Sequence, residues 1–402
     1  MTDASSSLPQ TMPDDIGNPA LIEAIHAAIN AAGGRLPFAR FMELALYHPE
    51  HGYYLTPARR PGRSGDFLTA PESHPFFGLT LARQVAECWE RLGRPRPFTV
   101  REYGAGVGGL AYDLIAGLTT EVPDARAALR YRLVEANRHR LHEAMAAMQE
   151  VGLGGIVAEE TAEPGQPLPP IEGVVLANEV ADAFPVHRLV VRSSRPREIY
   201  VVRHGEGFDE EEGEVSSPRV TEAWEHLMAA GVTLAEGDVV EVSPAAVDWF
   251  AGVGQGIGRG YVIVLDYGYP ATILYQGHRL QGTLRGYAGH TVTDDPYIRI
   301  GTQDLTAHVD FSALERAGRS IGLETAGLTT QGAFLAALGL GDFLVRLQTD
   351  PTMSPADYYA AQAATLRLID PGGLGRFGVL VMARHAPVEP PLRGLTLEPP
   401  PF

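Results

Sequence analysis

The sequence is poor in cysteine and in positive charge. Cys88 is the only cysteine among 402 residues, which excludes an intramolecular disulfide and a cysteine-rich metal site. No His-Glu-x-x-His or comparable spacing occurs, so we predict no metal site. Asp and Glu outnumber Lys and Arg by 49 to 32, which gives a net charge of −17. Because nucleic-acid affinity depends on clustered basic residues, we expect no nucleic-acid partner. An acidic surface promotes solubility and also suits a cationic protein partner.

We predict neither a targeting segment nor a membrane segment from this sequence. No apolar run reaches the roughly 18 residues that a membrane helix needs, so we predict no membrane span. Residues 1–15 contain no Arg or Lys, unlike a secretory signal or a mitochondrial presequence. These features favour a cytoplasmic protein of bacterial type.

The most informative segment that is present is a glycine-rich turn at residues 101–109. It lies between an apolar strand-like run and a helix-like run. A strand, turn and helix in this order present backbone N–H groups to an anionic or polar ligand. The dinucleotide pattern G-x-G-x-x-G is satisfied by Gly104, Gly106 and Gly109. The E-x-G-x-G-x-G pattern of S-adenosylmethionine (SAM) methyltransferases is satisfied by Glu102, Gly104, Gly106 and Gly108. A tight turn without a ligand is the third interpretation.

A second carboxylate helps to choose between these cofactors. Glu135 ends a predicted strand, where a carboxylate can bind both hydroxyls of a ribose. It lies 31 residues after Gly104, whereas about 20 are expected in the dinucleotide motif. The spacing favours SAM and leaves NAD open. We expect Glu102 to face the cationic or hydroxyl end of the ligand, and a Cβ at Gly104 to intrude on the ligand.

The length suggests two domains or one decorated domain. We predict a disordered N-terminus at 1–17, a helical region at 18–95 with a lid-like loop at 47–73, and an α/β domain at 96–384. Inserted elements are expected at about 186–258 and 267–320, and a Pro-rich tail at 385–402.

Alternating strands and helices predict a doubly wound parallel sheet. Strands are expected at 98–103, 130–135, 155–158, 172–177 and 260–265. We also predict a hairpin at 186–203, an acidic solvated loop at 206–214, and a C-terminal antiparallel hairpin made by 322–328 and 377–383. An NAD-type sheet is not expected to end in such a hairpin.

Polar residues follow two further apolar strands. Asn178, Glu179 and Asp182 follow one, and Asp266 follows the other. Ligands bind outside the carboxyl ends of strands in open α/β sheets, so we expect these side chains beside the glycine turn. A helical turn would place Glu179 and Asp182 on one side. The alternative is a helix cap made by Asn178 with Glu179 in the first turn.

Aromatic and histidine residues follow in the region after Asp266. We expect Tyr267, His290 and His308 to cover the substrate side of the site. Both histidines can equally be explained as residues that hold loops together.

The ordered motifs resemble one family over about residues 36–382. They are residues 47–54, 65–72, the glycine turn, 178–183, 266–268, 282–285 and 304–311. The chain is similar to the MidA-type SAM-dependent methyltransferases, which include the mitochondrial complex I assembly-factor methyltransferases. The resemblance implies a class I methyltransferase fold, seven-stranded and Rossmann-like, with an N-terminal helical extension and inserted α/β elements. Residues 96–384 would then be the methyltransferase domain.

The resemblance also implies a cofactor, an acceptor and a set of site residues. SAM is the expected cofactor, and the acceptor is expected to be an exposed arginine of a protein, with a respiratory complex I subunit or its homologue as the candidate. Glu179, Asp182 and Asp266 are the expected catalytic carboxylates, because carboxylates can hold a protonated guanidinium bidentately. The expected cofactor-binding residues are Glu102, Gly104, Gly106, Gly108, Glu135, Asn178, Asp66, Thr69 and Pro71.

This chain departs from the family pattern in Val180-Ala181, where a bulkier second residue is expected, and in its acidic segment at 206–214. Three other functions stay open at this point. They are a small-molecule methyltransferase, an NAD-dependent oxidoreductase and a non-catalytic SAM-binding assembly chaperone.

Overall fold

The computed structural model describes residues 16–56, 70–161, 168–276, 281–289 and 291–399. In chain order the strands are β1 (Arg35–Pro37), β2 (Phe98–Tyr103), β3 (Leu129–Val134), β4 (Val157–Glu159), β5 (Ile171–Asn178), β6 (His187–Arg192), β7 (Arg195–His204), β8 (Gly207–Gly213), β9 (Val239–Val242), β10 (Ile257–Asp266), β11 (Gly268–Tyr269), β12 (Arg285–Ala288), β13 (Thr291–Thr293), β14 (Asp304–Thr306), β15 (Val309–Asp310), β16 (Glu324–Thr330) and β17 (Gly378–Arg384). The helices are α1 (Pro19–Ala31), α2 (Phe38–Tyr47), α3 (Ala70–Ser73), α4 (Phe76–Arg91), α5 (Gly109–Glu121), α6 (Pro123–Ala128), α7 (Arg138–Glu150), α8 (Pro218–Ala229), α9 (Pro244–Gln255), α10 (Ala271–Leu274), α11 (Phe311–Ser320), α12 (Gln331–Ala337), α13 (Gly341–Gln348) and α14 (Pro355–Ile369).

A seven-stranded sheet forms the centre of the molecule, in the order β16-β17-β10-β5-β2-β3-β4. The five strands from β10 to β4 are parallel, and β17 runs antiparallel to both β10 and β16. The predicted strands and the C-terminal antiparallel hairpin are therefore confirmed, as is the α/β, Rossmann-like fold class. Parallel pairing brings the carboxyl ends of β2, β3, β5 and β10 to one edge of this sheet, where the predicted polar residues follow.

The central strands are apolar because helices cover both faces of the sheet. Residues 174–177 of β5 and 261–265 of β10 are fully buried, as expected for parallel strands between two helical layers. One layer contains α4 and α5, with Phe77 and Leu114 in its core. The other contains α9 and α11, with Phe250 and Leu314. The two layers hold the strand ends in a fixed position.

A second sheet is built mainly from the segment between β5 and β10. Its order is β1-β7-β6-β9, with β8 paired to the other side of β7. The predicted hairpin is present, with a two-residue turn at Ser193 and Ser194. Since β1 precedes the central sheet in the chain and pairs with β7, the N-terminal helical region and this inserted sheet form one structural layer.

The prediction of an acidic loop at 206–214 is wrong. Residues 207–213 form β8, which pairs with β7 along its full length. Cross-strand ion pairs explain why an acidic segment becomes a strand: Glu211 pairs with Arg35, and Glu212 with Arg192. β1 and β6 pair with the opposite edge of β7, so these ion pairs reach across β7 and hold the acidic strand on the sheet.

The two ends of the described chain are attached to the body of the protein. The side chain of Asn18 caps α1, and its backbone N–H donates to the carbonyl of Ile300. The segment predicted as a Pro-rich tail, described to residue 399, packs against α4: Leu392 is fully buried and the Gly394 N–H donates to Gln84. In the described part of the chain, no helix has the length and apolar character needed to cross a membrane.

Candidate functional site

A large cleft opens at the carboxyl edge of the central sheet. Its volume is about 1050 Å³. The glycine turn lines one side, the ends of β3 and β5 line the floor, and α2 with residues 183–187 lines the far side. Predicted residues that line the cleft are Glu102, Gly104, Gly106, Glu135, Asn178, Glu179, Asp182 and Pro71.

The glycine turn has a backbone that glycine adopts more easily than other residues. Gly104 has φ of 68° and Gly106 has φ of 55°, both in the left-handed region. A Cβ at Gly104 would lie 2.6 Å from the Val180 side chain, whereas a Cβ at Gly106 would meet nothing within 4 Å. Both glycines line the cleft, and the open space at Gly106 adds a second position where a Cβ would meet a ligand; the ligand-facing role of Gly104 stays a prediction. Gly108 precedes α5, so the first amides of that helix lie beside the cleft.

Glu135 supports the glycine turn as well as lining the cleft. Its Oε2 accepts the Gly106 N–H at 2.9 Å, and its Oε1 accepts the Asn137 N–H at 2.9 Å. Each carboxylate oxygen has a second lone pair, so the group keeps acceptor capacity toward the cleft. Asn137 also donates to the backbone carbonyl of Tyr54 at 2.7 Å, which ties Glu135 to the chain after α2.

Glu102 lies deeper than its sequence position suggested. It is 3 % exposed, and the Tyr131 hydroxyl donates to it at 2.7 Å. Burial is the main reason that the pKa of Glu102 rises to about 8. A carboxylic acid that is neutral near pH 7 can both donate and accept hydrogen bonds, so Glu102 can meet a polar group of a ligand without a full negative charge.

The segment after β5 does not form the helical turn that we expected there, either as a side for Glu179 and Asp182 or as a helix capped by Asn178. Glu179 has φ of 53°, and only residues 181–183 form a short 3₁₀ turn. Asn178 ends β5 and its side-chain amide donates to Glu179 Oε1 at 3.0 Å, so it does not act as a helix cap. The N–H of Ala70 donates to the same oxygen at 3.0 Å. A non-glycine residue in the left-handed region costs about 1–2 kcal/mol and is often found at a functional site.

Asp266 supports this turn from behind. One of its oxygens accepts the N–H groups of Val180, Ala181 and Asp182 at 3.1, 2.8 and 3.3 Å. The other accepts the N–H of Tyr267, and the residue is fully buried. Asp266 lines neither the cleft nor the second cavity described below. The structure therefore places it as a residue that positions the turn, which differs from the expectation that it binds the acceptor.

Three carboxyl groups lie close together at the end of β5 and β10. Burial is the main reason that the pKa of Glu179 rises to about 8 and that of Asp182 to about 6. The Asp182 carboxylate accepts a hydrogen bond from Tyr267. Burial, followed by repulsion from Asp182 and Glu179, raises the pKa of Asp266 well above its ordinary value. Such a cluster favours a cationic ligand, because a nearby positive charge stabilises the ionised carboxylates.

A second cavity of about 390 Å³ lies on the other side of Glu179. Tyr267, Tyr269, Tyr287, Phe377 and His308 form most of its wall. Two residues predicted for the substrate side, Tyr267 and His308, thus lie together here, with ring centroids 5.5 Å apart. Glu179 lines both this cavity and the large cleft, so the two spaces adjoin at this residue. His290, Asp66 and Thr69 lie outside the described residues.

Two tyrosines of the site were not singled out from the sequence. The Tyr54 hydroxyl donates to Asp304 at 2.7 Å, and the Tyr47 hydroxyl donates to the Ala183 carbonyl at 3.2 Å. The Tyr47 and Tyr54 rings stack at 5.4 Å, and both line the cleft. The aromatic run at 47–54 was the available signal, but we interpreted it as part of a lid. Residues 48–56 pack on the body of the protein, and the lid prediction now concerns residues 57–69, outside the described residues.

Comparisons with known proteins agree with this geometry. A family model of S-adenosyl-L-methionine-dependent methyltransferases matches residues 80–329. A protein from Burkholderia thailandensis, whose crystal structure contains S-adenosyl-homocysteine, is 33% identical in sequence to this chain. The structural match covers 98% of each chain and has a TM-score of 0.83. The human protein arginine methyltransferase NDUFAF7, mitochondrial, is 26% identical over 380 residues, which are 88% of this chain and 81% of that protein. The Drosophila melanogaster homologue is 27% identical over 340 residues, 79% of this chain and 75% of its own length.

The residues of the cleft fit SAM as the cofactor. Gly106 leaves open space where a Cβ would project, and Glu135 keeps free acceptor capacity beside it. Asn178 Oδ1 is buried and has no hydrogen-bond partner in the described structure, so it can accept an N–H group from a bound molecule. Among the described residues, no group of three His, Cys, Asp or Glu side chains is placed to hold a metal. The matched family model, the 33% identical structure and the seven-stranded sheet together establish that this chain belongs to the MidA-type family of SAM-dependent methyltransferases.

Proposed function

We propose that the protein transfers the methyl group of SAM to the side chain of an arginine in another protein. The observation that carries this proposal is the position of Glu179, which lines both the cofactor cleft and the second cavity. An acceptor that enters through the second cavity would meet the cofactor cleft at Glu179, and an acidic side chain there suits a cationic acceptor. The human and Drosophila relatives are protein arginine methyltransferases, which supports the same acceptor class.

The second cavity has the chemistry that a guanidinium requires. An arginine side chain stays protonated near neutrality and is planar, so it binds carboxylates and stacks on aromatic rings. Here Glu179 lies at one end, and the rings of Tyr267, Tyr287 and Phe377 form walls. Glu179 Oε1 already accepts two hydrogen bonds, which fix the orientation of the carboxylate. We infer that Glu179 holds the guanidinium and that Asp182, held by Tyr267, adds negative charge beside it.

When bound, SAM supplies an electrophilic methyl group on a sulfonium. In this proposal the protein aligns the acceptor nitrogen with that methyl and excludes water, both of which lower the barrier. The transfer would replace the sulfur–carbon bond of SAM by a nitrogen–carbon bond on the acceptor, and the proton released from that nitrogen would pass to solvent water. Asp266 contributes by holding the backbone on which Glu179 and Asp182 lie. Glu102, Gly104, Gly106, Gly108, Glu135, Asn178 and Pro71 remain our proposed cofactor side, and Tyr267 and His308 our proposed acceptor side.

The identity of the acceptor protein and the location of the reaction both stay predictions. A respiratory complex I subunit or its homologue stays our candidate acceptor, by resemblance to the assembly-factor methyltransferases. A cytoplasmic location also stays a prediction, since the human and Drosophila relatives are mitochondrial proteins.

Methyl transfer from labelled SAM to proteins of a cell lysate tests this function. We expect the label on arginine after digestion and mass spectrometry, and its loss with Glu179→Gln. Glu222→Gln, on the exposed part of α8, is the matched control and should keep activity. Label on small molecules would support the small-molecule alternative. SAM binding without transfer to any molecule would support the assembly-chaperone alternative.

A further inference from the structure

The second cavity carries a positive charge at its mouth. Arg376 ends the 3₁₀ turn at residues 374–376, just before β17, and is exposed where it lines the cavity. Its Nε donates to the Tyr269 hydroxyl at 2.8 Å, and its guanidinium lies 5.6 Å from the centre of the Tyr269 ring. The Tyr269 ring is itself buried, so this contact holds the guanidinium in one place at the cavity mouth.

No carboxylate of the described residues compensates this charge. Arg376 forms no ion pair within 4.0 Å in the described structure, although the protein carries a large excess of acidic residues. Other arginines of the same chain are paired: Arg101 binds Glu160 at 2.7 Å, and Arg83 binds Glu121 at 2.7 Å. The Tyr269 hydroxyl positions Arg376 through a hydrogen bond and not through an ion pair.

The cavity therefore has an acidic side chain at one end and a basic side chain at the other. Glu179 lies at the inner end, where the cavity meets the cofactor cleft, and Arg376 lies at the outer end. A cavity for a lone cation gains nothing from a cation at its mouth, because like charges repel an approaching guanidinium. The arrangement suits a ligand that has a positive group at one end and a negative group near the other.

We propose that Arg376 is a specificity residue that binds a carboxylate of the acceptor at the mouth of the second cavity, while the target guanidinium reaches Glu179. This inference rests on the proposed arginine methylation. In a protein acceptor the carboxylate belongs to an Asp or Glu close to the methylated arginine. An arginine guanidinium binds a carboxylate through two parallel hydrogen bonds, which selects position as well as charge.

Two other molecules share this chemistry and are separated by the test. A C-terminal arginine has its own α-carboxylate one side-chain length from the guanidinium, and so does free arginine. The probes are synthetic peptides with one arginine, in which Asp or Asn occupies each neighbouring position in turn. A peptide that ends in arginine, with a free or an amidated C-terminus, and free L-arginine complete the set.

The measurement is kcat/KM for methyl transfer to each probe by the full-length protein. We expect kcat/KM to be roughly tenfold higher with Asp than with Asn at one or two positions. A tenfold change corresponds to the weaker hydrogen bonds that charged groups form. Arg376→Gln should abolish this preference, and Arg376→Glu should prefer Lys at the same position. Tyr269→Phe should reduce the preference, because it removes the hydroxyl that orients Arg376. Arg367→Gln, an exposed arginine on α14, is the matched control and should keep it.

The outcomes distinguish a failure of the proposed role of Arg376 from a failure of the proposed arginine methylation. Transfer to the peptides with no difference between Asp and Asn, in wild type and Arg376→Gln alike, would overturn the role of Arg376 and leave arginine methylation standing. A preference for the free C-terminus, or for free arginine, over every Asp-containing peptide would overturn the assignment to an acidic neighbour. Absence of transfer to every arginine probe would overturn both proposals.

Discussion

Replacing Glu179 by glutamine should lower the methyl-transfer activity and raise the free energy of unfolding. Glutamine keeps the shape of the side chain and resembles a protonated carboxyl group. The change removes the charge that we propose to hold the guanidinium. We expect kcat/KM for methyl transfer to fall by about a hundredfold, the loss seen when one preorganised electrostatic contact is removed from a transition state. SAM affinity should change little, since Glu179 is proposed to act on the acceptor.

The stability effect follows from the pKa of Glu179, which burial raises from 4.5 to about 8. The folded state therefore binds this proton more tightly than the unfolded state. The associated stability is fully present below the unfolded pKa and is lost as the pH rises through about 8. The difference between these pKa values would correspond to about 5 kcal/mol at 1.36 kcal/mol per pH unit. Because Glu179 is only partly buried, we expect solvent to reduce this to about 1–2 kcal/mol.

Urea unfolding of both proteins near pH 5 and near pH 8 measures this effect. The difference between wild type and Glu179→Gln isolates Glu179 from the other titrating groups. The variant should be only slightly more stable near pH 5 and about 1–2 kcal/mol more stable near pH 8. Wild-type kcat/KM should rise with pH up to about 8, as Glu179 ionises, and the variant should lack that rise. Equal stability differences at both pH values would refute the argument.

Three further changes test the rest of the site. Gly106→Val should abolish most SAM binding in calorimetry, with little loss of stability beyond the roughly 1–2 kcal/mol of left-handed strain. Gly104→Val should also destabilise the fold, because its side chain would contact Val180. If Gly106→Val bound SAM as tightly as wild type, the cofactor would have to bind at another site. Asp266→Ala leaves four backbone N–H groups without their acceptor and should lower the free energy of unfolding by about 3 kcal/mol, and an unchanged urea midpoint would contradict its positioning role. Glu135→Ala should weaken SAM binding by about 1.5–3 kcal/mol and should speed hydrogen exchange at Gly106; unchanged affinity would show that other groups bind the ribose.

The sheet was predictable from sequence because its strands are apolar runs bounded by turns. Residues 174–177 and 262–265 are buried on both faces, and such runs end where polar residues begin. The same rule predicted that Asn178, Glu179 and Asp182 lie at the carboxyl edge of the central sheet. The acidic strand β8 was not predictable in this way. Its stability comes from arginines of β1 and β6, which are distant in sequence and come close only in the fold.

The roles of individual carboxyl groups were harder to predict than their positions. Glu179 and Asp266 both follow apolar strands, and the sequence does not distinguish them. The difference arises because the chain after Asn178 enters the left-handed region and turns its N–H groups toward Asp266. Tyr54 was missed for a similar reason, since its hydroxyl meets Asp304 across 250 residues of sequence. Contacts of this kind depend on topology and leave no local pattern.

The position of β17 has a consequence for the order of events during protein synthesis. This strand lies between β10 and β16 in the sheet, yet more than a hundred residues separate it from β10 in the chain. While the ribosome is still making that intervening segment, β10 has an unpaired edge, and exposed strand edges readily pair with other chains. The central sheet can close only after residues 378–384 have left the ribosome. We therefore expect the nascent chain to need protection by chaperones until late in synthesis, and ribosome-bound chains that stop before residue 378 to be sensitive to protease at β10.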